Sequence, residues 1–272
     1  MSQAWLPILF TLFAWWFSTG AILYLDGLPR RTYPWTMGVA TMVLAAALWG
    51  LADAADETTV GAAYLAFACA LAVWGWHEMS FLMGVVTGPR RTPCPEGCRG
   101  WRRFGLAVQT CIYHDLAIAV TAAAIVAGSW GEPNQVGTWT FLVLWGMRLS
   151  AKLNVHLGVR NLSEDWLPEH LGHLKSFLTR KPMNLLFPVS VTAATWLLAV
   201  LVERAGDADA TAFEATGAVF LATLVALGLL EHWFLVLPLP FAALWNWGLR
   251  SRGGAATVAT PPIPAPASAQ WR

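Results

Sequence analysis

Charge is what this sequence has least of. Only 12% of its 272 residues are Asp, Glu, Lys or Arg, against about 25% in an ordinary globular domain. With 57% hydrophobic residues and a mean hydropathy of +0.52, too few charges remain to coat a surface in water. A soluble fold is thereby excluded, and no nucleic acid is expected among the partners. Cysteine is equally sparse. Cys69, Cys94, Cys98 and Cys111 are the whole complement, two of them inside apolar runs, so this is no disulfide framework of the small secreted kind. A basic stretch is missing ahead of the first apolar run, "MSQAWLPILFTLFAWWF". That argues against a cleavable signal peptide and for a first spanning helix that stays.

What is abundant points to a bilayer. A spanning helix needs about 20 apolar residues, and runs of that kind cover 5–25, 36–52, 59–87, 104–128, 137–157, 183–203 and 213–248. The 17 tryptophans suit membrane interfaces. The fold class is therefore all-α, a polytopic membrane bundle of about seven spans. Six or eight would follow if the second run were re-entrant or the last were split at "LPLPF", where proline removes a backbone donor. Charged residues in the connections alternate. Arg30 and Arg31, the arginines at 90–103, those after span five and Arg250 with Arg252 lie on one side. Asp53, Asp56, Glu57, Glu132, Asp207 and Asp209 lie on the other, and Arg204 is the basic exception. The positive-inside rule makes the basic side cytoplasmic, with the N-terminus periplasmic and the C-terminus cytoplasmic. Residues 1–252 form a single transmembrane domain, and the Ala- and Pro-rich tail 253–272 is expected to be disordered. Within 161–181, Leu167, Leu171, Leu174, Phe177 and Leu178 recur at helical spacing. They predict an amphipathic helix, either lying in the cytoplasmic interface or packed on other loops.

Against this background the buried ionisable residues stand out, because each costs a few kcal/mol to place in a span. Span three carries His77–Glu78, span four His114–Asp115 and span seven Glu231–His232, while span five adds Arg148, Lys152 and His156. His77 and His114 each lie about ten residues from the basic rim, roughly 15 Å deep at 1.5 Å per residue, and so share a level. Glu231–His232 joins that level if span seven continues through its prolines. One reading is structural: the histidines and acids pair with each other and with Arg148. A second is pigment binding, with a neutral imidazole as axial ligand to a tetrapyrrole metal and aromatic side chains as walls. A third is a metal centre, His77, His114, His232 and Glu231 holding iron, although the E-x-x-H spacing of helical di-iron bundles is absent from these pairs. Proton or ion conduction is a fourth. Arg148 and Lys152 share one face of span five, which would turn toward the acids or receive a carboxylate-bearing ligand.

Two further motifs carry less. "CPEGC" at 94–98 lacks a second pair to complete a tetrahedral site and reads as a reduced, unliganded pair. "EHLGH" at 169–173 reads as an ordinary solvated face.

The runs "WHEMSFLMGVVTGPRR", "YHDLAIA", "PNQVGTWTFLVLWGMRLSAKLNVHLGV" and "NLSEDWLPEHLGHLKSF" together resemble the photosynthetic complex assembly protein 2 family. These are multi-spanning PuhE-type proteins encoded with the reaction-centre H subunit in purple phototrophic bacteria. The resemblance covers roughly residues 5 to 250. It implies the inner, intracytoplasmic membrane of an anoxygenic phototroph, and a role in assembling the reaction centre–light-harvesting complex or supplying it with bacteriochlorophyll or a precursor. Partners would be the bilayer and reaction-centre or light-harvesting subunits. The resemblance brings no catalytic residues. The candidates for ligand binding are therefore His77, Glu78, His114, Asp115, Arg148, Lys152 and His232. A membrane metalloenzyme of di-iron type, modifying a tetrapyrrole or lipid, is the alternative.

Overall fold

In hydrocarbon every backbone N–H and C=O must be satisfied within its own segment, and a helix does this residue by residue. A computed structural model describes residues 4–252 apart from 163 and 240. Its helices are α1 (Trp5–Asp26), α2 (Tyr33–Asp53), α3 (Val60–Leu82), α4 (Gly100–Val108), α5 (Ile112–Gly128), α6 (Val136–Leu157), α7 (Leu186–Ala205), α8 (Ala212–Val236) and the short α9 (Asn246–Leu249). Among the described residues the one β feature is an isolated bridge between Val159 and Arg180. The tail expected to be disordered lies outside the described residues.

Five helices, α1, α2, α3, α7 and α8, are long and apolar enough to cross a bilayer, and α4 with α5 form a sixth candidate bent by 64°. Arg148 and Lys152 make α6 more polar, yet it is 22 residues long and packs along α3 and α8. These seven units are the seven apolar runs of the sequence, with shifted ends. Local signals place several of those ends. Thr59 caps α3 by accepting from the Ala62 amide, and Thr211 forms a capping box with Glu214 at the start of α8. Pro238 ends α8 just after Val236, so the last run does not continue as a helix to Trp247.

Near the acidic loops, α1, α3, α6 and α8 close on an apolar core. Phe67 and Phe220 stack at 4.4 Å between ring centres, with Phe10 of α1 and Tyr64 edge-on to Phe220. Ala62, Ala63 and Ala66 let the helices approach closely. Beyond Val236 the chain turns back along α1. Trp245 is buried and donates from Nε1 to the Trp16 carbonyl, while Trp16 Nε1 donates to the Leu244 carbonyl. A Cβ on Gly248 would stand 2.4 Å from the Gly20 carbonyl oxygen, so this crossing is open to glycine alone. Arg252 then pairs with the buried Asp26 at 2.7 Å.

At the basic end the structure revises two expectations. Among the described residues of 161–181 there is no amphipathic α-helix. Glu169–Phe177 is a 3-10 segment whose Leu171 and Phe177 are buried, Leu171 against Phe81 and Cys111, so it packs on protein. The amphipathic element is α4, with Trp101 86% exposed and Arg99 and Arg102 exposed beside it. It was hidden because its nine residues run straight into the apolar span. His170 is likewise not on a solvated face. Its ring lies over Gly84 and edge-on to Tyr33, at 6.4 Å between ring centres. Burial, and then Arg30, push the His170 imidazole below its ordinary pKa.

Two outcomes follow for this cap. Gly84 ends α3 with φ +74°, and a Cβ there would meet the His170 ring at 3.0 Å. Gly84→Ala should therefore lower the stability in detergent by about 1–2 kcal/mol, read as a lower melting temperature. The neutral His170 ring is the form the fold favours. Its stabilisation is complete above pH about 6.5 and is lost as acidification passes through the lowered folded-state value. Amide exchange in 169–177 should accelerate on acidification, and His170→Gln should weaken that dependence.

Candidate functional site within the bundle

The four helices that close around Phe67 and Phe220 do not stay closed. On α8, Leu224, Leu227 and Gly228 are buried, while Glu231 on the same face, three to seven residues on, is exposed. On α6, Phe141 is fully buried, while Arg148 two turns later has a side chain 40% accessible. On α1, Thr11 is fully buried, and Trp15 one turn on is partly accessible. Glu78 of α3 completes the level. The interior therefore opens into a polar vestibule in the half of the bundle nearer the basic loops.

Its side chains are ordered by α6. Arg148 Nε lies 3.0 Å from Glu78 Oε1. One turn further, Lys152 Nζ donates to both oxygens of Asp115 at 2.7 and 2.6 Å. The i,i+4 spacing of the two cations thus becomes a ladder, one rung to α3 and one to α5. The Cys111 thiol donates to Asp115 Oδ2 at 3.4 Å, and His114 Nδ1 lies 3.8 Å from Oδ1. Trp15 Nε1 donates to Glu231 Oε1 at 2.8 Å, which brings α1 into the site.

The histidines stand behind this front. His77 and His114 are neighbours, with ring centres 6.2 Å apart. His114 Nε2 donates to the His77 carbonyl, and His77 Nε2 is hydrogen-bonded to Thr121 Oγ1 at 3.0 Å. His232 lies elsewhere, on the α6–α7 side. Its Nδ1 donates to the Gly228 carbonyl, and its Nε2 is 2.9 Å from Ser150 Oγ. Each of the three rings is 2–3% exposed. His156 packs edge-on against Phe104, near the basic rim.

The structure thus joins Glu78 to Arg148, Asp115 to Lys152, and His77 to His114, but it separates His232 from both histidines. Among the described residues no group of three or more His, Cys, Asp or Glu side chains is arranged to hold a metal ion. The iron centre considered from His77, His114, His232 and Glu231 is not formed, because adjacent residues on one helix point about 100° apart and His232 turns to Ser150. The four cysteines are free thiols.

Several participants were not singled out from the sequence. Trp15 carried no mark among so many tryptophans. Asn154, read in the sequence only as lining the inner half of span five with Arg148 and Lys152, is fully buried, donating to the Ser150 carbonyl and to Ser190 Oγ. Its i,i+4 spacing to Ser150 was the available signal. Arg252 read as a basic rim charge and Asp26 carried no mark, and only the return of the chain along α1 joins them.

A helical membrane bundle with a ladder of ion pairs set inside it is the class that this fold and site define. Its residues 1–256 match a family described as a protein of unknown function, DUF3623. The chain is 40% identical over 268 residues, 97% of each sequence, to an "Uncharacterized 30.4 kDa protein in puhA 5'region" of Rhodobacter capsulatus. It belongs to the DUF3623 family. No solved structure matches it.

The rungs themselves are testable. Arg148→Met or Glu78→Leu alone leaves a lone charge in the bundle. Loss of a fully buried pair partner costs about 3–5 kcal/mol, and partial accessibility should reduce this to roughly 1–3 kcal/mol. The double variant should recover most of the lost thermal stability in detergent.

Proposed function

We propose that this protein is an assembly factor for the photosynthetic reaction centre–light-harvesting complex, handling bacteriochlorophyll or a precursor, or docking a pigment-protein subunit, through its intramembrane vestibule. The observation that carries the reading is the opening of a closed interior at the level of Glu78, Arg148 and Glu231. A bundle that needed only polar glue could have buried those rungs. Support from outside the chain comes from the relative named for its place 5' of puhA, and from the resemblance to PuhE-type proteins encoded beside the reaction-centre H subunit. In this reading the basic loops face the cytoplasm, α4 lies in the cytoplasmic interface of the inner membrane, and the vestibule opens inward. Glu78, Arg148, Asp115 and Lys152 line it, with His77, His114 and His232 as the buried frame behind. A site that hands its cargo on needs moderate affinity, since cargo held too tightly is not released.

Deleting the gene from a purple phototroph should slow accumulation of the near-infrared bands of the reaction centre–light-harvesting complex, and the wild-type gene should restore them. An Arg148→Met, Glu78→Leu gene, whose product still inserts, should not. Normal complex accumulation in the deletion strain would overturn the reading.

A further inference from the structure

One group in the vestibule is left over. Arg148 is matched by Glu78, Lys152 by Asp115, and the imidazoles by hydroxyl and carbonyl groups. Glu231 accepts from Trp15 on Oε1, and among the described residues it has no ion-pair partner. It is nonetheless exposed on a face of α8 that is buried at Leu224, Leu227 and Gly228. Glu78, Arg148 and Glu231 together hold two acids and one base. Arg148 is within electrostatic reach of it but is already paired with Glu78, and a carboxylate inside a span marks a functional contact by default.

We propose that Glu231 is the residue that meets the cargo, binding through its free oxygen to the magnesium at the centre of a tetrapyrrole. The assignment rests on the pigment-handling reading above and names the contact within it. Magnesium is a hard cation that prefers oxygen ligands, and Glu231 Oε2 is an oxygen donor on an exposed side chain. The histidines, the usual candidates, are closed off at 2–3% exposure, and their Nε2 atoms are already hydrogen-bonded. Trp15 holds the other carboxylate oxygen and fixes its direction, as outer-shell donors do for metal ligands. Trp15 in turn stands edge-to-face with the buried Trp245 at 4.9 Å, which braces the indole that holds the carboxylate. A ligand recognised by its own carboxylate is disfavoured, because both cations are engaged and the surplus charge is negative. On binding, an axial solvent molecule leaves the magnesium and the Glu231 lone pair takes its place. No proton or electron is transferred, and one such bond is readily reversed.

The test uses full-length protein in mild detergent, titrated with bacteriochlorophyll a and with bacteriopheophytin a, the same ring without magnesium. Tryptophan quenching and pigment absorbance are followed together. The magnesium pigment should bind about tenfold more tightly or better. Glu231→Gln keeps the shape and an acceptor for Trp15. It should abolish that preference while leaving the magnesium-free ring bound as before. Equal binding of both rings by the wild type, or a preference that survives in Glu231→Gln, overturns the assignment and leaves pigment handling standing. Binding of neither ring overturns the pigment reading and the assignment with it.

Discussion

The arrangement depends on one constraint: the two cations of α6 lie inside the bundle, and charge placed there must be matched by acids on neighbouring helices. Arg148 draws on Glu78 of α3, and Lys152 draws on Asp115 of α5. Each rung fixes a neighbouring helix in height and rotation, since a salt bridge near 3 Å tolerates little sliding. Apolar packing at the other end is less selective about register, because alanines and phenylalanines tolerate small shifts. The bundle is thus apolar and closely packed at one end, and electrostatically indexed and open at the other.

The two ends divide the work. The Phe67–Phe220 core and its alanine neighbours supply van der Waals contact, the force available where lipid and side chains are equally apolar. The ladder end gives up part of that contact and gains an interior of fixed charge. Its acids lie toward the helix ends nearest the basic loops, Glu78 near the end of α3 and Asp115 in the first turn of α5. The cap of Glu169–Phe177, seated on Phe81 and Cys111, covers the base of α3 and α5 without covering Glu231.

Much of this was legible in the sequence. Apolar run length located the helices, because the bilayer fixes the length a span must have. The matched depth of His77 and His114 foretold their contact, and the i,i+4 spacing of Arg148 and Lys152 foretold a shared polar face. What stayed hidden depends on direction. Adjacent residues on a helix face different ways, so the pairs H-E, H-D and E-H could not reveal that the acids would turn to the vestibule and the imidazoles to the packing behind. Nor could hydropathy separate α4 from α5, since Gln109 and Thr110 interrupt the run too briefly to register. The return of residues 241–252 along α1 was equally invisible, because it depends on Gly20 and Gly248 meeting in space.

That return couples the first helix to the last described turn of the chain. Trp15 faces Glu231 from one side, and its neighbour Trp16 is clasped to Leu244 and Trp245 by reciprocal bonds. During synthesis α1 precedes every other helix, whereas Trp245 and Arg252 follow α8. The aromatic clasp is therefore made only after α8 has been synthesised. Until then α1 lacks the partner that clasps Trp16 and braces Trp15.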